Sequence, residues 1–99
     1  MQENLYNLAF ERSTLSSIVF EPSQFDELSN ILKADDFYLP AHKDIFQAIL
    51  TLFQNDLPID EEFIKKELIK AKKFDEQVMI EILSANPISN TKAYTDEIK

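Results

Sequence analysis

The chain has 99 residues, 44% of them hydrophobic and 28% charged, no cysteine and no glycine, and a formal net charge of −8. That length holds one domain or a piece of a longer protein, with enough core to fold without disulfides or thiolate metal sites. The acidic balance argues against a major nucleic-acid clamp and suits a basic or mixed-charge protein partner, while the lack of glycine excludes a P-loop or dinucleotide fingerprint and argues against a hairpin-rich β fold.

The elements follow in order. A first helix is expected from about Asn4 to Phe20, with Leu5, Leu8, Leu15 and Val19 as its apolar stripe and Ala9 and Phe20 beside them. Arg12 and Ser16 lie inside that stripe, and Ser13, Ser16 and Ser17 are small enough to admit a close helix neighbour. Tyr6 and Phe10 point away from the stripe, either to pack on another helix or to form an aromatic pair for a partner. Pro22 ends this helix, and Ser23, with Asp26 three residues on, reads as the cap of a second helix, Gln24 to Leu32, burying Phe25, Leu28, Ile31 and Leu32. Asp35 is expected to cap a single turn, Asp36-Phe37-Tyr38.

The stretch Leu39 to Phe53 carries the widest apolar arc. At helical spacing Ile45, Phe46, Ile49, Leu50, Leu52 and Phe53 span roughly 160°, so this is the expected central helix (residues 40–54), with Pro40 in its first turn. Lys43, Asp44, Gln47, Thr51 and Gln54 form its wet face. After the turn residues Asn55, Asp56 and Pro58, Asp60 caps a fourth helix, Glu61 to about Lys72, with Ile64, Leu68 and Ala71 inward and favourable Glu61–Lys65 and Glu62–Lys66 pairs outward. Asp75 caps a fifth, Glu76 to Ala85, burying Val78, Met79, Ile82 and Leu83. Asn86-Pro87 breaks it, and a last helix starts at Ser89 or Asn90 and runs through Ala93, Tyr94 and Ile98. The pattern continues to Lys99, so the chain is expected to be cut inside it. The fold class is all-α, a compact orthogonal bundle of about six short helices forming one domain over residues 1–99. Its core residues include Leu15, Phe37, Ile45, Phe46, Ile49, Leu52 and Leu68.

Few residues invite chemistry. His42 is the lone histidine, and its place on the apolar arc favours a packed side chain with one hydrogen bond over a general base. Asp35, Asp36 and His42 are close enough in sequence for a metal site, but two acids before a helix read as caps; Asp56, Asp60, Glu61 and Glu62 lack the calcium-loop spacing and its glycine and read as caps and solvated charge. The run from Lys65 to Lys73 is the one positive patch, a solvated helix end or a weak contact to single-stranded DNA or an acidic partner. No catalytic, metal or cofactor site is assigned. The candidate interaction residues are Tyr6, Phe10, Lys65, Lys70 and Lys73. No apolar run approaches the ~18 residues of a membrane span, and the N-terminus lacks a signal-peptide core, so a cytoplasmic location is expected.

Several landmarks occur together. Glu11, Leu15 and Ile18, then Asp36-Phe37-Tyr38 with His42, Ile45, Phe46, Ile49 and Leu52, then Pro58-Ile59-Asp60 with Leu68, then Asn86-Pro87 and Ala93-Tyr94 stand in fixed order. In that series the chain resembles the N-terminal domain of bacterial replicative DNA helicases of the DnaB type. It departs at Ala9, where the family often has Glu, and at Ser16 and Ser17, where it often has glycines. The resemblance implies a non-catalytic collar and scaffold domain of a hexameric helicase, which self-associates and docks the C-terminal domain of primase. It places the ATP- and Mg-using motor, and most of a C-terminal helical hairpin, beyond Lys99. Rival readings are a primase C-terminal domain of related fold, a stand-alone nucleic-acid module using Lys65 to Lys73, and an enzyme using His42.

Overall fold

In the computed structural model the described residues are 2–85, with side chains from residue 8 onward. They form α1 (Gln2–Phe20), a 3-10 turn (Pro22–Gln24), α2 (Phe25–Leu28), a second 3-10 turn (Ala34–Asp36), α3 (Pro40–Gln54), α4 (Glu61–Lys70) and α5 (Glu76–Ser84). The class is all-α, and no strand occurs among the described residues. The last expected helix, with Ala93 and Tyr94, lies outside them.

α3 has the bounds its sequence dictates. Pro40 occupies the first turn, and His42, Ile45, Phe46, Ala48, Ile49 and Leu52 are buried along one face. Phe46 links an aromatic chain through the core. Its ring lies 5.1 Å from Phe37 and 5.3 Å from Phe25, and Phe25 in turn meets Phe53 edge-on at 5.2 Å. Such tilted pairs add to the area they bury. Phe53 stays 37% exposed at the rim and Leu50 is half-buried, so the buried arc is narrower than expected at its C-terminal end.

α1 departs from its predicted stripe. Five consecutive residues, Thr14, Leu15, Ser16, Ser17 and Ile18, are buried, which covers the helix all round. The reason is that α1 packs against α5, against α3 and against the Pro22–Gln24 turn. The small residues permit this: Ser16 Oγ donates to the Ala85 carbonyl at the end of α5 at 3.2 Å. Val19 is only half-buried, Ala9 is exposed and Phe20 is 59% exposed.

The second helix is shorter than its apolar spacing predicts. Ser29 Oγ and Asn30 Nδ2 both donate to the Asp26 carbonyl, at 3.0 and 3.1 Å, taking the acceptor that a continuing helix would give to the Asn30 amide. That amide bonds Glu27 instead, and Ile31 and Leu32 complete a turn on Leu28. Ser23 is no cap. It lies within the Pro22–Gln24 turn, which runs directly into α2. Nor does Asp35 cap the next turn, which spans Ala34–Asp36; there Asp36 Oδ2 accepts from the Lys33 amide at 2.8 Å.

Asp60 and Asp75 are both true caps, accepting from the Phe63 amide at 2.9 Å and the Val78 amide at 3.3 Å. α4 ends at Lys70, so Ala71 is exposed rather than inward. α5 buries Met79 and Ile82, with Val78 and Leu83 half-buried. The C-termini of α3 and α4 close alike. Leu57 N–H bonds the Leu52 carbonyl and Asp56 N–H that of Phe53; Lys73 N–H bonds Leu68 and Lys72 N–H bonds Ile69. This double bond pattern needs a left-handed residue after the cap, usually glycine. With none in the chain, Asp56 (φ 57°) and Lys72 (φ 61°) take that role.

Candidate interaction surface

Two groups of polar side chains stand out, one inside the fold and one on its surface. Inside, Glu11 on α1 is 1% exposed and meets the start of α3. Leu39, which precedes α3, has no capping side chain, and Pro40 has no N–H. The Glu11 carboxylate serves from a distance in sequence. Its Oε2 accepts from the Tyr38 amide at 2.6 Å, and its Oε1 lies 3.5 Å from the Leu39 amide. Oε1 also contacts His42 Nδ1 at 2.7 Å. Since both carboxylate oxygens act as acceptors, the ring donates from Nδ1, and the negative charge sits at the positive end of the α3 dipole. His42 is fully buried; its Nε2 and Thr14 Oγ1 have no hydrogen-bond partner among the described residues. His42 therefore packs on the inside, with one hydrogen bond among the described residues.

On the surface, α4 and the turn after it carry Lys65, Lys66, Lys70, Lys72 and Lys73, all exposed. The expected Glu61–Lys65 and Glu62–Lys66 pairs are replaced. Lys65 Nζ lies 5.6 Å from the Phe74 ring centre, and Lys66 Nζ 5.4 Å from that of Phe63. Lys70 pairs with Glu67 at 3.3 Å, and Lys73 reaches Asp44 on α3 at 3.4 Å. Lys70, Lys72 and Lys73 sit at the negative end of the α4 dipole, which favours them. Ile69 is 54% exposed among them.

Among the residues singled out from sequence, Leu15, Phe37, Ile45, Phe46, Ile49, Leu52 and Leu68 are all buried in one core cluster. Lys65, Lys70 and Lys73 share the α4 ridge. Phe10 is half-buried and packs on the core, so it offers no open aromatic face. The Tyr6 side chain lies outside the described residues. Asp35 is exposed, Asp36 closes a backbone turn, and no group of three or more His, Asp or Glu side chains converges among the described residues. What sequence reasoning missed is Glu11 as the tertiary cap of α3. Its signal was an acid inside a helical segment opposite an uncapped Leu-Pro helix start, and only the fold brings the two together.

A model of the DnaB-like helicase N-terminal domain family matches residues 3–99. The replicative DNA helicase DnaB of Helicobacter pylori is 39% identical over 89 residues, which is 90% of this chain and 18% of that protein. The replicative DNA helicase DnaC of Bacillus subtilis is 31% identical over 70 residues, covering 71% of this chain and 15% of the relative. Among solved structures, the N-terminal domain of the Helicobacter pylori DnaB helicase, described together with its interactions with primase, superposes with a TM-score of 0.90. Its identity is 35%, and the match covers 98% of this chain and 79% of that one. The corresponding domain from Mycobacterium tuberculosis gives a TM-score of 0.82 at 25% identity over 92% of this chain and 69% of that one. The uncapped start of α3, the acid that covers it and the helix order around them are thus housed in a known fold, and the chain belongs to the DnaB-like helicase N-terminal domain family.

Proposed function

We propose that residues 1–99 form a single non-catalytic collar domain of a hexameric replicative DNA helicase, acting by self-association and by docking the C-terminal domain of primase. ATP and Mg belong to a motor elsewhere in the longer protein, and the work takes place in the cytoplasm. The carrying observation is the TM-score of 0.90 to a domain described with its primase interactions. The net charge of −8 supports a role among proteins, with DNA contact by this segment weak or absent. The fold supports a scaffold: its buried polar groups hold helices together and leave the surface for partners. Titration calorimetry with a cognate primase C-terminal domain, using the chain extended beyond Lys99, tests the docking. Saturable heat and co-elution at micromolar concentration are expected; no heat and no co-elution at high micromolar concentration would overturn it.

A further inference from the structure

α4 packs along α3, but the two helices do not meet over their whole length. A groove of about 110 Å³ remains between them. Its floor is apolar and comes from Ala48 on α3 and Leu68 on α4, both buried. Its rim is polar. Asp44, Gln47 and Thr51 recur at helical spacing on α3, and Glu67 faces them from α4. Small-molecule pockets hold roughly 300 Å³ or more, so this groove has the room of a single side chain. One cation already sits at its edge. Lys73, which lines the groove, brings Nζ to 3.4 Å from Asp44 Oδ1. Lys73 is exposed and Asp44 half-buried, and an ion pair so open to water is easily exchanged.

We propose that the α3–α4 groove is a socket for an arginine side chain presented by a basic protein partner, which takes the place of Lys73 on Asp44. The apolar floor suits the methylene stem of such a side chain, and the rim suits its head. A guanidinium carries five donors in a planar fork that grips a carboxylate in two places, whereas the Lys73 ammonium is a point charge. The Asp44 carboxylate takes the fork, and the side-chain oxygens of Gln47 and Thr51 accept donors that remain. Glu67 adds a second negative charge; its own partner, Lys70, is exposed and pairs at 3.3 Å. A basic protein is the favoured source, because a body with a net charge of −8 draws cationic surfaces and repels phosphates. Both walls are hydrogen-bonded helices, and the Lys72 and Lys73 amides close the end of α4, so little order is lost on binding. The socket does not depend on the self-association or the primase docking proposed above, and failure of either leaves it standing.

Amide NMR spectra of the 99-residue chain, titrated with the peptide acetyl-Ala-Arg-Ala-amide and with its lysine and citrulline counterparts, test the socket. The arginine peptide is expected to shift the amides of Asp44, Ala48, Thr51, Glu67 and Leu68 and to saturate with a Kd of about 1 mM, the scale of one anchoring side chain. The lysine peptide should bind severalfold more weakly, and the citrulline peptide, similar in shape but uncharged, should not bind. Asp44→Asn should weaken the arginine peptide at least about tenfold. Glu62→Gln, the same charge change on an exposed residue outside the groove, should leave its affinity unchanged. Lys73→Gln removes the competing cation and should tighten binding about twofold to fivefold. Lys72→Gln, the same charge change one residue earlier, should not. The spectra also report whether each variant is folded, and the Lys73 and Lys72 pair carries the test if Asp44→Asn is not. Shifts centred on another surface, equal binding of the arginine and citrulline peptides, or no shifts at about 10 mM peptide would overturn the socket. Equal tightening by Lys72→Gln and Lys73→Gln would reduce the effect to net charge and overturn the exchange on Asp44.

Discussion

The joint between α1 and α3 and the ridge along α4 use the same chemistry in opposite settings. At the joint, one carboxylate meets an imidazole and two backbone amides from residues 27 to 31 positions away, and Glu11 and His42 are 1% and 0% exposed. On the ridge, ammonium groups meet carboxylates and rings in water, and Lys70 is 76% exposed. In the interior the loss of one partner strands the other and is costly; at the surface an attraction is worth about 0–1 kcal/mol and is easily exchanged for another partner. The joint therefore specifies how two helices meet, whereas the ridge specifies little about the fold and remains available for contacts outside it.

Breaking the joint should have the largest effect. Glu11→Ala leaves the buried His42 Nδ1 and the partly buried Tyr38 amide without their acceptor, and should cost about 3–5 kcal/mol. In thermal unfolding followed by circular dichroism that is a fall of at least about 12 °C. An unchanged midpoint would mean that the carboxylate does not hold α3. Next comes the close approach beside the joint. Ser16→Leu forces bulk between α1 and α5 and should cost about 1–3 kcal/mol in urea titration. A neutral result would show that α5 can shift away freely. Removing the cap of the ridge helix is milder: Asp60→Ala should cost about 1 kcal/mol by the same titration and leave its slope unchanged. Smallest of all is a ridge lysine. Lys70→Gln should move stability by no more than about 0.5 kcal/mol, and a larger loss would place the ridge with the joint as a structural element.

The same contrast explains which features were legible in the sequence. The bounds of α3 follow from a proline, a turn and a periodic arc within fifteen residues, and the caps of α4 and α5 from an aspartate directly before each helix. These signals are local. The segment from Pro22 to Asp36 misled because its apolar spacing is helical while Ser29 and Asn30 draw off a helix carbonyl. The face of α1 misled because a helix packed on several sides has no single stripe to read. The lysine ridge was visible as a charge run, but its ring contacts and the tie from Lys73 to Asp44 needed the fold. Glu11 was visible only as a landmark, since its role depends on backbone amides 27 and 28 residues further on, just before α3.

The two left-handed turns carry a consequence of another kind. Asp56 and Lys72 hold positions where a side chain meets steric resistance that glycine would not. Each is a place where a single substitution can relax the backbone without disturbing a core contact. The domain thus keeps an unused margin of robustness at its helix ends, one that lineages or engineers can draw on to offset harmful changes elsewhere. At Lys72 the same relaxation removes a ridge cation, so the margin is unencumbered only at Asp56.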